Sequence, residues 1–321
     1  METRTLLLEL HCEEIPARFL KPLTSEFAEA FAKWAEGEKL AVAGIAANYS
    51  PRKLGWTISG LPTCQADQSD TQVGPPQRMC VGEDGAPTQT GLKFAEKWGV
   101  DFSSVRFEQP KGKKEPCAVL TLMKRGRPTV ELLSEALPRI VAGLSVPKAM
   151  RWGTSEFSFV RPIRSILCLF GSEIVPFEVD GVKAGNTTWG HRLFHRDHPE
   201  PLAVPSPEAY ESALEAAGVV VSCGKRREAM KAQLDRLAQE VGGRVVEDEE
   251  LLTVLSEIVE WPCILRGDFP ESFLDLPKEV LVTSLKEHQK SFCIENAKGA
   301  LLPYFLTAAN RMDGPAGFIQ S

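Results

Sequence analysis

Between Lys148 and Arg164 the sequence sets four basic side chains, Lys148, Arg151, Arg161 and Arg164, against one acid, Glu156. Trp152, Phe157 and Phe159 are interleaved with them. Cations displace counterions from a phosphate backbone, and neighbouring rings offer π surfaces to bases, so this composition suits nucleic acid. The same residues also fit a plainer reading, with the aromatics in a core and the arginines solvating its edge.

Other clusters carry less. His191, His195 and His198 have metal-ligand spacing, and Asp197 could add an oxygen. Gly190 before them and Pro199 after them disfavour a helix, so one packed and two exposed histidines is the reading taken, with no metal assigned. Glu13-Glu14 could be an acid–base pair, but two carboxylates ahead of a helix are explained by its macrodipole. His288 has Glu287 beside it and no serine or cysteine nucleophile in an evident relay. Lys286, Gln289 and Lys290 around it could hold a phosphate or solvate a helix end. No phosphate-cradling glycine loop and no dinucleotide fingerprint occurs. No catalytic residue is assigned.

These residues need a scaffold, and the periodicities describe one. A strand is predicted near 5–10, then a helix of about twenty residues opening at Pro16 and carrying Phe19, Leu20, Leu23, Phe27, Phe31 and Trp34 as one stripe. A hairpin is predicted over 42–49 and 54–59, and 61–87 reads as a loop. Thr88 should cap a short helix ending at Trp98-Gly99; a strand at 117–123 and a helix over 128–144 follow, the latter kinked or divided by Pro138. Strand signals recur at 166–170, 174–179, 187–189, 263–266, 291–294 and 302–307, with a charged helical stretch over 206–257. Helices between clusters of strands, without repeated βαβ units, predict an α+β fold with mixed sheets. The expected organisation is an α+β region over 1–204, a helical hairpin insertion over 205–258, and a return to the α+β core over 259–321.

The 321 residues carry 37 Lys and Arg against 43 Asp and Glu, a net charge of −6, which argues against indiscriminate nucleic-acid coating but not against a local basic face. No apolar window is long enough for a membrane span. The eight cysteines show no zinc or CxxC spacing, and reduced thiols in the cytoplasm are expected.

Several segments together resemble the beta subunit of the bacterial heterotetrameric glycyl-tRNA synthetase, in the family's order and across nearly the whole chain. They are Leu8–Pro16, Ser50–Leu54, Pro147–Gly153 with Phe159–Pro162, Gly190–Phe194, Val259–Pro262, Phe273–Pro277, His288–Phe292 and Leu301–Phe305. His11-Cys12 stands where the family usually has Gly-Thr, and Ser291 where an aromatic is common. The family's chain runs beyond residue 321 into HD-type and anticodon-binding domains, so the resemblance implies an N-terminal fragment.

It also implies a division of labour. The alpha subunit, in an alpha2 beta2 assembly, holds the site that uses ATP and Mg to activate glycine, and the beta subunit supports tRNA(Gly) binding. No cofactor, membrane or DNA partner is expected for this chain. Its fold is implied to be similar to the editing-type domain of the phenylalanyl-tRNA synthetase beta subunit. Editing fits poorly, because no standard amino acid is smaller than glycine. The residues expected to contact tRNA are Arg52, Lys53, Lys148, Arg151, Trp152, Arg161, Arg164, Arg192, Lys286 and Lys290. Two alternatives stay open: an assembly module without RNA contact, and a vestigial hydrolase of mischarged tRNA.

Overall fold

The computed structural model describes residues 2–83, 85–110, 113, 115–146, 148–152 and 154–311, without the side chains of Gln68, His195 and Asp197. Pro147 and Gly153 of the basic-aromatic segment lie outside the described residues. The chain divides into two compact units, Met1–Thr63 with Thr129–Ser321, and Cys64–Pro128.

The first unit opens on β1 (Thr3–Cys12), where Leu6, Leu8 and Leu10 face one way and Leu7, Glu9 and His11 the other. Strand alternation would let water have the second set, yet both are buried, so both faces of the sheet are covered. Helix α1 (Ala17–Gly37) follows Pro16 and buries Leu20, Leu23, Phe27 and Phe31 from its apolar stripe. Phe27 stacks on Trp56 at 4.0 Å between centroids, and Trp56 Nε1 donates to the Thr24 carbonyl. β2 (Gly44–Ser50) and β3 (Lys53–Pro62) form the predicted hairpin.

The second unit contains β4 (Gln68–Pro76), α2 (Gln77–Cys80), α3 (Gln89–Lys97), β5 (Arg106–Glu108) and β6 (Cys117–Lys124), with sheet order β4-β6-β5. The loop expected over 61–87 is therefore corrected. Its polar, proline-bearing sequence forms an edge strand because β6 supplies the ladder, and Pro76 sits past a register shift. Thr88 caps α3 as expected. The small core gathers Cys80, Ala95, Val105 and Ala118.

Back in the first unit, α4 (Thr129–Ala142) runs unbroken through Pro138. Leu132, Leu133, Leu137 and Val141, buried on both sides of the proline, outweigh one lost hydrogen bond. Then come β7 (Met150–Arg151), β8 (Ser158–Phe159), β9 (Ile163–Phe170), β10 (Glu173–Ile174), β11 (Glu178–Val179), β12 (Val182–Gly185), β13 (Thr187–Thr188), α5 (Arg192–Asp197), β14 (Leu202–Ala203) and α6 (Tyr210–Ala216). The main sheet has order β11-β12-β9-β1-β3-β2, with β10 also on β9. β1 is antiparallel to both its neighbours, and β12 is parallel to β9, so the sheet is mixed. α1 and α4 cover one face. Val204, Tyr210, Leu214, Val219 and Val221 cover the other, against Leu7, Leu167 and Leu169.

The charged helices α7 (Cys223–Gln239) and α8 (Glu249–Ile258) cover a second sheet in the same unit. That sheet is built from β15 (Arg244–Val245), β16 (Pro262–Asp268), β17 (Ser291–Glu295) and β18 (Leu301–Asn310), in order β15-β17-β18-β16. Met230, Leu234, Leu251, Leu255, Ile264, Phe292 and Leu306 fill the space between. α9 (Lys278–Thr283) and a π-helical turn over Ser284–His288 lead into β17. Among the described residues, no helix is long and apolar enough to cross a membrane. The architecture is α+β with mixed sheets.

Candidate functional site

Four stretches of chain meet at one end of the main sheet: the exit of β1, the β2–β3 turn, the start of β9, and the link from β13 to α5. Backbone hydrogen bonds fix them together. Cys12 N–H donates to the Arg52 carbonyl at 2.8 Å, Glu13 N–H to Pro162 at 3.1 Å, and Ile15 N–H to Pro51 at 2.7 Å. His191 N–H donates to the Ala217 carbonyl at 2.8 Å. A Cβ at Gly190 would stand 2.7 Å from that carbonyl, so the loop can lie this close only with glycine there.

Behind the junction lies a buried polar network. Lys53 Nζ is 3.2 and 3.3 Å from the Glu9 carboxylate oxygens, with both side chains fully buried. It also reaches Thr188 Oγ1 at 2.9 Å and His11 Nδ1 at 3.2 Å. Glu9 accepts from Thr188 Oγ1 and from the Tyr210 hydroxyl, each at 2.5 Å. Burial, and then Glu9, push the Tyr210 phenol well above its ordinary range and keep it a donor. Burial, followed by Glu9, also raises the Cys12 thiol strongly, which removes it as a thiolate nucleophile.

In front of the network is a cleft of about 260 Å³ lined by His11, Glu13, Arg52, Arg164, Trp189, Gly190 and Arg192. A neighbouring cavity of about 450 Å³ shares Arg52 and Arg192 and is bordered by His191 and Glu260. Arg164 pairs with Glu13 at 3.6 Å and Arg192 with Glu14 at 3.2 Å, in exposed positions where such pairs are weak and exchangeable. Glu13 and Glu14, ahead of the Pro16 cap of α1, thus each pair with one of these arginines. Three guanidinium groups and one carboxylate, Glu13, line the cleft, a local excess of positive charge in an acidic chain.

The remaining expected tRNA contacts are scattered. Lys148 and Arg151 are exposed. Arg161 folds back onto the Val160 carbonyl at 2.8 Å, and Trp152 is half-buried. Lys286 is held by Asp248 at 2.8 Å and Glu250 at 3.3 Å, and Lys290 lies 3.8 Å from Glu287. Lys53 is fully buried with acceptors around its ammonium, so in this structure it shows no face to solvent. Contrary to the expectation drawn from Gly190 and Pro199, a short helix does form at the histidine cluster. His191 is its N-cap, Nδ1 accepting from Leu193 N–H at 3.2 Å. The side chains of His195 and Asp197 lie outside the described residues; among the described ones, no group of three potential metal ligands occurs.

Sequence reasoning passed over Glu9, His11, Thr188, Tyr210 and Arg226. The available signal was Leu7, which shares a strand face with Glu9 and His11 and marks that face as buried.

Comparison with known proteins gives one answer. The family model described as glycyl-tRNA synthetase beta subunit matches residues 6–320. The chain is similar to the glycine–tRNA ligase beta subunit of Moorella thermoacetica, 38% identical over 307 residues that cover 96% of this chain and 44% of that one. The beta subunit of Acidobacterium capsulatum is 39% identical over 309 residues, 95% of this chain and 43% of that one. That of Nitratidesulfovibrio vulgaris is 39% identical over 307 residues, with the same two coverages. The chain thus spans less than half the length of these relatives.

Proposed function

Because the chain belongs to the glycyl-tRNA synthetase beta-subunit family, we propose that it serves a cytoplasmic glycine–tRNA ligase by gripping tRNA and supporting assembly with the alpha subunit, without performing chemistry itself. The observation that carries the tRNA part is the convergence of Arg52, Arg164 and Arg192 on one cleft. Guanidinium groups at a shared concavity bind phosphate oxygens by charge and by forked hydrogen bonds. Glu13 and Glu14 hold two of the arginines in place until a phosphate competes for them. The scaffold's similarity to an editing-type synthetase domain belongs to the same proposal, with the fold kept and its surface used for RNA. ATP and Mg act on the alpha subunit in this reading.

The test is the salt dependence of tRNA(Gly) binding. Alanine at Arg52, Arg164 or Arg192 should each flatten the log–log slope by roughly one unit. Alanine at Lys286, already held by two acids, should flatten it less. Unchanged slopes for all three arginines would remove the RNA grip.

The rival reading, assembly without RNA contact, has one observation of its own. Phe273, Leu276 and Val280 are 48%, 47% and 53% exposed along one short stretch. Aspartate at Leu276 with loss of alpha-subunit association, and tRNA affinity unchanged by the arginine variants, would favour it. Release of alanine or serine from mischarged tRNA by the chain would instead restore the hydrolase reading.

A further inference from the structure

Two hollows share a wall. The cleft of about 260 Å³ and the cavity of about 450 Å³ beside it are both lined by Arg52 and Arg192. Their other linings differ in chemistry. The cleft is basic, whereas the larger cavity is walled by Ile15, Pro16, Leu193 and Ile258, with His191 and Glu260 set among them. An apolar hollow of that size carrying a few polar groups suits a small organic group better than a bare ion.

Its polar groups have hydrogen-bonding capacity left over. Leu193 N–H donates to His191 Nδ1 at 3.2 Å, and a backbone amide only donates, so Nδ1 is the bare nitrogen and Nε2 carries the ring proton. That Nε2 is buried with no partner, and so is Nε of Arg52 on the shared wall. His191 and Glu260 are each 2% exposed. Ser50 Oγ, donating to Glu260 Oε1 at 2.9 Å, is the one donor the carboxyl group has among the described residues, and a carboxyl group can accept several. The Glu260 backbone is fixed on both sides: its N–H donates to Asn310 Oδ1 and its carbonyl accepts from Val220 N–H, each at 2.9 Å. Buried polar atoms without partners are rare, so two on one cavity mark a place where a ligand supplies them.

We propose that the larger cavity receives an unpaired nucleobase whose own phosphate sits in the basic cleft, the two being joined across Arg52 and Arg192. His191 Nε2–H donates to an acceptor on the base edge, Glu260 accepts an N–H from it, and the apolar walls cover the ring. The inference rests on the phosphate-binding reading of the cleft and deepens it. What is held is a nucleotide splayed out of a single-stranded part of the RNA, because a base paired in a duplex has its edge already used. A phosphate alone fits the cavity badly, since Ile15, Leu193 and Ile258 offer it no donor.

Guanosine monophosphate is the probe, because guanine sets two N–H donors beside a carbonyl oxygen, and ribose phosphate is its base-free control. Titrated into the chain, the nucleotide should bind about tenfold more tightly than the sugar phosphate. His191→Asn and Glu260→Gln should each remove most of that advantage. Asparagine keeps an N-cap acceptor and glutamine keeps an acceptor for Ser50, so both variants should melt like the parent chain. Ile258→Glu, at a half-exposed position of the wall, tests the same cavity without touching either polar group and should also abolish the advantage. Equal affinities for the two ligands overturn the base pocket and leave the phosphate grip standing. An advantage that survives these substitutions overturns it too, since the base then lies elsewhere. Failure of both ligands to bind removes the phosphate reading of the cleft and the inference with it.

Discussion

Two buried cations, Arg226 and Lys53, hold this chain together through several hydrogen bonds each. Arg226 is fully buried and donates to four backbone carbonyls: Ser256 at 2.8 Å, Val220 at 2.6 Å, Val221 at 3.0 Å and Tyr49 at 2.9 Å. It ties the end of β2 to α7, to α8 and to the segment between α6 and α7. Methionine at 226 keeps the volume but leaves those carbonyls unpaired, and lysine is a point donor that cannot span them. Either change should cost about 3–5 kcal/mol, read as a fall in Tm. Lys53→Met should cost a similar ~3–5 kcal/mol, because it strands the Glu9 carboxylate in the interior. Adding Glu9→Gln should recover a large part of that loss, since no buried charge then lacks a partner. A double variant no more stable than Lys53→Met alone would show that the stranded Glu9 side chain is not the source of the cost.

At the scale of elements, α8 is held by its first residues. Asp248 caps it, Oδ1 accepting from Leu251 N–H at 2.9 Å, and pairs with Lys286 at 2.8 Å. Burial works against the Asp248 carboxylate, but Lys286 and the Leu251 amide outweigh it and hold its pKa below the ordinary value. The contribution to stability is therefore complete above the ordinary carboxylate range and drains away as pH falls through the lowered folded value. Asp248→Ala should lower stability by about 1 kcal/mol at neutral pH and much less in acid, measured by urea unfolding at both. Caps of this kind are legible in the sequence, as Thr88 before α3 is, and so are the stripe of α1 and the β2–β3 hairpin. The edge strand β4 was not, since Gln, Asp and Pro carry no strand signal and only pairing with β6 creates one. The arginines of the cleft were legible as basic residues in separate motifs. Their meeting was not, because it depends on β1 and β9 lying side by side across about 150 residues of sequence. Lys53 falls in the predicted hairpin turn and His11 just past the strand predicted near 5–10, and only the second cover over the sheet buries them.

For the whole molecule, the division into two units bears on where the tRNA grip resides. Thr63 and Thr129 flank the Cys64–Pro128 unit, and Thr129 N–H donates to the Thr63 carbonyl at 3.0 Å. The 65 residues between them therefore leave and re-enter the first unit at one point. The first unit holds the main sheet and both of its covers, and the smaller unit has its own core around Cys80, Ala95, Val105 and Ala118. Loop-closure entropy changes slowly with length, so replacing Cys64–Pro128 by a short Gly-Ser bridge should spare the remainder. The expected outcome is a cooperative melt within a few degrees of the intact chain. Arg52, Arg164, Arg192, His11 and Lys53 all lie in the retained part. The salt slope for tRNA should then stay as steep as in the intact chain. A slope flattened by two or more units in a chain that still melts cooperatively would move the main phosphate grip into the excised unit, and with it the reason for the basic cleft.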